Sequence, residues 1–219
     1  MGEIILTERD RKIIREIDRW RICQGRHIKE LVSFCGQRAC DRRLQKLINA
    51  GYIKREKILY GVAGIYSNTN KGNKKIMTER RNRKIRVEQI VHDIAVIDTA
   101  IFFKKEHGIN LDDVKTEIEL HRHDGFGVRK HRPDFVFEKD GKKVCVEVEL
   151  NLKSKHRFEK NIKDNFLNYD RQIWVVPSMG SKISKILEEK KKAYSNIEIL
   201  ELGEVQKKHG QNRSGGENN

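Results

Sequence analysis

The chain has 219 residues, 37% of them hydrophobic and 36% charged, which suits one large domain or two small ones with a thin core. Lys and Arg number 47 against 32 Asp and Glu, a formal charge of +15; such an excess points to a polyanion, nucleic acid first, with a basic protein lacking any specific partner as the plainer alternative. No apolar run approaches the ~20 residues of a membrane span and the N-terminus lacks the apolar stretch of a signal peptide, so a cytoplasmic protein with no membrane contact is expected.

Thr7 and Asp10 stand at capping-box spacing, and Ile13, Ile14, Ile17 and Trp20 follow at helical intervals. A second short helix is predicted over His27–Phe34, broken by Gly36, and a third over Gln37–Ala50. The third buries Cys40, Leu44, Leu47 and Ile48, and Gly51 stands where a helix-ending glycine belongs. Tyr52–Tyr60 and Ile65–Ser67, separated by Gly61–Gly64, read as a hairpin. Three helices and a hairpin make a winged helix-turn-helix over residues 1–78, its third helix suited to the major groove. On that helix Arg38, Arg42, Arg43 and Lys46 are candidate phosphate contacts, and Gln37 and Gln45 candidate readers of base edges. A merely solvated helix face is the competing reading.

Charge concentrates in this front part: residues 1–80 hold 19 Lys/Arg against 9 Asp/Glu. Residues 71–86, with Lys74 and Lys75 among eight bases, read as a basic junction that tracks the DNA backbone. Cys23, Cys35, Cys40 and Cys145 include no CxxC pair. That spacing argues against a zinc knuckle, and Cys35 and Cys40 read as small buried hydrophobes in a reducing cytosol.

A second domain is predicted over 79–203. A helix from Ile85 to Glu106 is followed by strands at Val114–His121, Asp134–Glu138 and Lys143–Leu150. A helix at Ser154–Leu167, a strand at Gln172–Val176, a helix at Ser181–Lys192 and a strand at Ile197–Leu202 complete it. A mixed α/β sheet flanked by helices follows. Residues 204–219 read as a disordered tail.

The chemistry gathers at strand ends. Pro133-Asp134 opens one strand, and Glu147-Val148-Glu149 closes its hairpin partner, with Glu147 and Glu149 on one face by alternation. Asp134, Glu147 and Glu149 are the expected ligands of a hard divalent cation, Mg2+ or Mn2+. Before them, His121, His123, His131, Arg129, Lys130 and Arg132 crowd a glycine-containing loop. It reads as a DNA-contacting loop that orders on binding, with a solvated basic loop as the alternative. The histidine spacing fits no standard zinc pattern.

Pro133, Asp134 and Glu147-Val148-Glu149, set in an αβββαβ order over about residues 85–177, resemble the PD-(D/E)xK nuclease superfamily. Glu149 departs from the lysine usual there, and Lys153 or Lys155 could replace it. With the winged helix in front, the whole chain resembles the replication-relaxation proteins, particularly the MOBC relaxases of conjugative and mobilisable elements. The resemblance implies a metal-dependent enzyme that nicks one strand at a transfer origin. Its implied partners are double- and single-stranded DNA, with relaxosome or coupling proteins. The implied site is His92, Glu117 (or Glu119), Asp134, Glu147, Glu149 and Lys155. Tyr169 as a covalent nucleophile has no further support. A non-catalytic replication or transcription regulator with a degenerate nuclease fold is the alternative.

Overall fold

The computed structural model describes residues 4–77, 85–122, 124, 130–152 and 154–210, the last three by backbone only. It is a mixed α/β protein with two sheets. Two compact units divide it, Met1–Ile97 and Asp98–Asn219.

The first unit opens with α1 (Glu8–Trp20). The Thr7 hydroxyl accepts from the Asp10 N–H, and the Asp10 carboxylate accepts from the Thr7 N–H at 2.7 Å, a complete capping box. Ile13, Ile14 and Ile17 are wholly buried. The chain then makes β1 (Cys23–Gln24), α2 (Gly25–Leu31) and α3 (Gln37–Asn49). Helix α3 ends in a Schellman motif: Tyr52 N–H donates to the Leu47 carbonyl and Gly51 N–H to that of Ile48. Gly51 has φ +74°, which a glycine adopts without Cβ strain. Strands β2 (Ile53–Glu56) and β3 (Ile65–Asn68) pair antiparallel, and β1 adds to the free edge of β3, giving the order β1-β3-β2.

Three sequence expectations change here. The two-residue β1 falls below the length at which strand patterning is legible. Lys74 and Lys75 lie on a short helix, α4 (Asn70–Lys75), rather than in a plain junction; Thr69 caps it by accepting from the Gly72 N–H. Gly72 leaves no room for a side chain, since a Cβ there would sit 2.2 Å from the Tyr52 carbonyl oxygen. Cys35 is exposed, whereas Cys23, Cys40 and Cys145 are buried. Of the other bases of the expected junction, Lys71 lies on the same helix, Arg86 is exposed, and Arg80, Arg81, Arg83 and Lys84 lie outside the described residues.

The division between units falls within α5 (Val87–His107). The second unit is built on a five-stranded sheet of order β4-β5-β6-β7-β8. Its strands are β4 (Lys115–Thr116), β5 (Phe135–Lys139), β6 (Lys142–Val148), β7 (Arg171–Val176) and β8 (Ile197–Glu201). The first three run antiparallel; β6, β7 and β8 run parallel. Residues Val144–Val148 are buried without a break, as expected of a strand covered on both faces. Helices α7 (Lys155–Asn168) and α8 (Lys182–Lys190) pack Phe158, Ile162, Ile183 and Leu187 against Trp174 and Val176.

The predicted strand Val114–His121 is mostly a helix. Only Lys115–Thr116 pairs, and α6 (Glu117–His121) follows. Thr116 and Glu119 cap one another, with Thr116 N–H donating to Glu119 Oε2 at 2.8 Å, and this box overrides the apolar alternation. The expected disordered tail is also shortened: α9 (Leu202–Gly210) is helical and buries Val205, and residues 211–219 lie outside the description. Among the described residues no helix is long and apolar enough to cross a membrane.

Candidate functional site

Two groups of expected site residues fall in separate units. In the first unit, α3 exposes Gln37, Arg38, Asp41, Arg42, Gln45 and Lys46 and buries Cys40, Leu44 and Leu47. Gln37 Nε2 donates to Asp41 Oδ1 at 2.8 Å, and Gln45 Nε2 to Asn49 Oδ1 at 2.9 Å. These are exposed amide bonds, cheap to exchange for other partners.

Arg43 departs from the expected set. Its guanidinium is spent on Asp10, whose carboxylate is wholly buried, through Nε and Nη2. Burial presses the Asp10 carboxyl up, but Arg43 and Thr7 outweigh it and hold the group below its usual range. Arg43 therefore ties α3 to the start of α1. Helical geometry explains the misreading: residue 43 lies three positions after Cys40 and four before Leu47, on the buried stripe.

His92 also belongs to the first unit. Its Nδ1 is 3.4 Å from Asp93 Oδ1, and Asp93 pairs with Arg21 at 3.5 Å.

In the second unit the carboxylates meet where β5 begins and β6 ends. The last ladder pair there is Phe135 with Val146. Just beyond it, the Val148 N–H donates to Asp134 Oδ2 at 2.7 Å, which brings Asp134 alongside Glu147. Glu147 is buried, 8% exposed, and its Oε1 takes two bonds, from His131 Nε2 at 2.7 Å and from Asn165 Nδ2 at 2.9 Å. Neither His131 nor Asn165 was expected at the site on sequence grounds. His131 stands in the irregular stretch before β5, where no periodicity aims its side chain, and Asn165 lies on a helix whose pattern shows only its apolar face.

Burial raises the Glu147 carboxyl, Asp134 raises it further, and His131 and Asn165 only partly offset this. Burial opposes charge on His131 too, but Glu147, Asp164 and Asp134 outweigh it and raise the imidazole above its ordinary value. The pair thus holds a proton to higher pH than a free imidazole does.

The other expected residues lie nearby in the chain with different roles. Glu117 begins α6; its N–H donates to the Asp134 carbonyl at 2.8 Å, and its carboxylate lies 3.7 Å from His121. Glu149 extends the parallel pairing past β6, its N–H donating to the Val175 carbonyl. Lys155 is exposed on the first turn of α7, where its charge acts on Glu159. Lys130 is exposed; Arg129, His123 and Lys153 lie outside the described residues.

The expected DNA loop is tied at both ends. His121 Nδ1 meets Asp124 Oδ2 at 2.7 Å, and Arg132 binds the other Asp124 oxygen. Together Arg132 and His121 bring the Asp124 carboxyl down to about 2. Arg132 also reaches Tyr169, whose hydroxyl burial pushes up to about 12. A phenol so hard to ionise is a poor nucleophile at neutral pH.

A hard divalent ion needs several convergent anionic oxygens. Here Glu147 Oε1 holds an imidazole and an amide, and Asp134 Oδ2 holds a backbone N–H. Among the described residues no group of three or more His, Cys, Asp or Glu side chains is placed to hold a metal ion. As arranged, the carboxylate corner does not fit Mg2+ or Mn2+, because Glu147 Oε1 and Asp134 Oδ2 are committed to protein donors.

No protein-family model matches this sequence, and comparison with curated proteins and with solved structures gave no match.

The sign of the pH effect follows from the raised His131. Stability contributed by its bound proton is complete below the ordinary imidazole value, about 6.5, and is lost as pH rises through the raised one. Glu147, also raised, acts in the same direction. His131→Gln is expected to flatten the fall in melting temperature of the wild type above pH 6.5. Equal slopes for both proteins in thermal scans across that range would contradict the pairing.

Proposed function

We propose that this is a DNA-binding protein whose first unit works as a winged helix, with α3 in the major groove and the β2–β3 hairpin as the wing. One observation carries the reading. The exposed side of α3 presents Gln37, Arg38, Asp41, Arg42, Gln45 and Lys46 together, and almost none of that chemistry is consumed by the fold. Arginine pairs with guanine, glutamine with adenine, and an aspartate accepts from cytosine, so the face holds complementary readers for several bases. Lys46 with Lys74 and Lys75 supplies phosphate contacts that position without reading sequence. Arg43 has a different part: it fixes the helix that carries the readers.

The expected outcome is a split between two sets of variants. Arg42→Ala and Gln45→Ala should relax sequence preference by about 1–3 kcal/mol at the affected base pair. Lys74→Ala with Lys75→Ala should weaken all sequences alike and make the salt dependence shallower. Selected-site binding followed by titrations at several salt concentrations distinguishes the two. Identical losses on selected and random DNA in both sets would remove α3 as the reader.

A second reading, strand nicking of the relaxase type at a transfer origin, is favoured by the approach of Asp134 to Glu147 at neighbouring strand ends. It requires His131 to leave Glu147. The test is conversion of supercoiled plasmid carrying the cognate origin to open circles with Mg2+ or Mn2+, against an EDTA control. A nicking enzyme would lose conversion in Asp134→Ala and Glu147→Ala. A regulator would give no metal-dependent open circles with any of the three proteins.

A further inference from the structure

The loop joining β2 and β3 is held in place by several contacts, and its most exposed side chain is left out of all of them. Leu59 packs against the cluster of Ile22, Ile65 and Ile90. Val62 N–H turns back to the Leu59 carbonyl, and Gly61 stands at φ +72°, the left-handed position that makes this turn possible. On the return side, Gln24 Nε2 donates to the Ala63 carbonyl at 3.2 Å. At Gly64, Arg55 lies so close that a Cβ would meet its Nε at 2.8 Å, and the same guanidinium lies 5.9 Å from the Tyr66 ring centroid. Between these anchors sits Tyr60, 101% exposed, with Ile58 at 37% and an exposed Lys57 beside it.

A tyrosine ring is a large apolar surface, and the fold gains nothing from this one. A single exposed aromatic is ordinary on a protein surface. This one differs in being offered at the tip of an anchored turn, on a unit with excess positive charge.

We infer that Tyr60 is a stacking platform for an unpaired nucleobase, so that the wing prefers DNA with a single-stranded arm over a closed duplex. This rests on the DNA-binding reading and adds a ligand class to it. In a closed duplex the base faces are covered by their neighbours; in a single-stranded arm they are open, and aromatic stacking accepts any base. Lys57, three residues away, supplies a cation for the adjoining phosphate. Charge complementarity is what favours nucleic acid over an apolar protein partner here.

The experiment uses the full chain and two probes: a blunt duplex, and the same duplex with a single-stranded arm containing 2-aminopurine. Tyr60→Ala should weaken binding to the armed probe by about five- to a hundredfold and affect the blunt duplex far less. Tyr60→Phe, which keeps the ring, should bind as wild type and quench 2-aminopurine equally. Circular dichroism of both variants should match wild type, because the side chain touches nothing.

Equal affinity of Tyr60→Ala and wild type for the armed probe would overturn the inference, as would equal losses in the Ala and Phe variants. Unchanged DNA binding with loss of a self-associated species in sedimentation would make a second copy of the chain the occupant, and would overturn it too. If Arg42→Ala weakens blunt duplex while Tyr60→Ala binds normally, only the stacking role falls. If wild type binds neither probe, the DNA-binding reading falls with it.

Discussion

The first unit depends on one buried carboxylate. Asp10 is wholly buried, caps α1 through Thr7, and receives the Arg43 guanidinium from α3. In a protein with so many exposed cations, a buried anion with a fixed partner sets which helix lies where. Removing one member of such a pair leaves an uncompensated charge, which is far worse than never having had the pair. Held in this way, α3 can leave the rest of its polar face exposed, with Gln37 and Gln45 bonded to exposed neighbours on the same helix. The same logic appears in the second unit, where buried Glu147 is matched by His131 and Asn165 rather than left to the solvent.

These two buried carboxyl groups show how charge is divided between folding and function. Arg43 and His131 serve their own units. Arg38, Arg42 and Lys46 are exposed, and Gln37 and Gln45 bond only to exposed neighbours on their own helix. A positive surplus by itself says little about which cations meet a ligand. Burial and existing partners decide it, and they remove Arg43 from the proposed DNA-facing set while leaving its neighbours in.

Much of the architecture was legible in the sequence, because it depends on strong local signals. The Thr7–Asp10 box, the apolar stripe of α3 with Gly51 after it, and the β5–β6 hairpin are each written within a short stretch of the chain. What escaped was written twice. Val114, Thr116, Ile118 and Leu120 alternate as a strand does, yet Thr116 and Glu119 spell a capping box over the same residues, and the box prevails. Other features have no local signal: β1 is too short, α4 lacks an apolar stripe, and α9 buries Val205 alone among its described side chains. The approach of Asp134 to Glu147 follows from hairpin register and could be anticipated. The bond from His131 could not, since His131 precedes β5 in an irregular stretch where no periodicity aims its side chain.

The central claim is that α3 is the surface that meets DNA, and amide hydrogen exchange of the full chain with and without a bound duplex tests it most directly. Slower exchange should centre on Gln37–Asn49 and the β2–β3 hairpin when DNA is added. Protection elsewhere, with α3 exchanging as fast as in the free protein, would contradict the account.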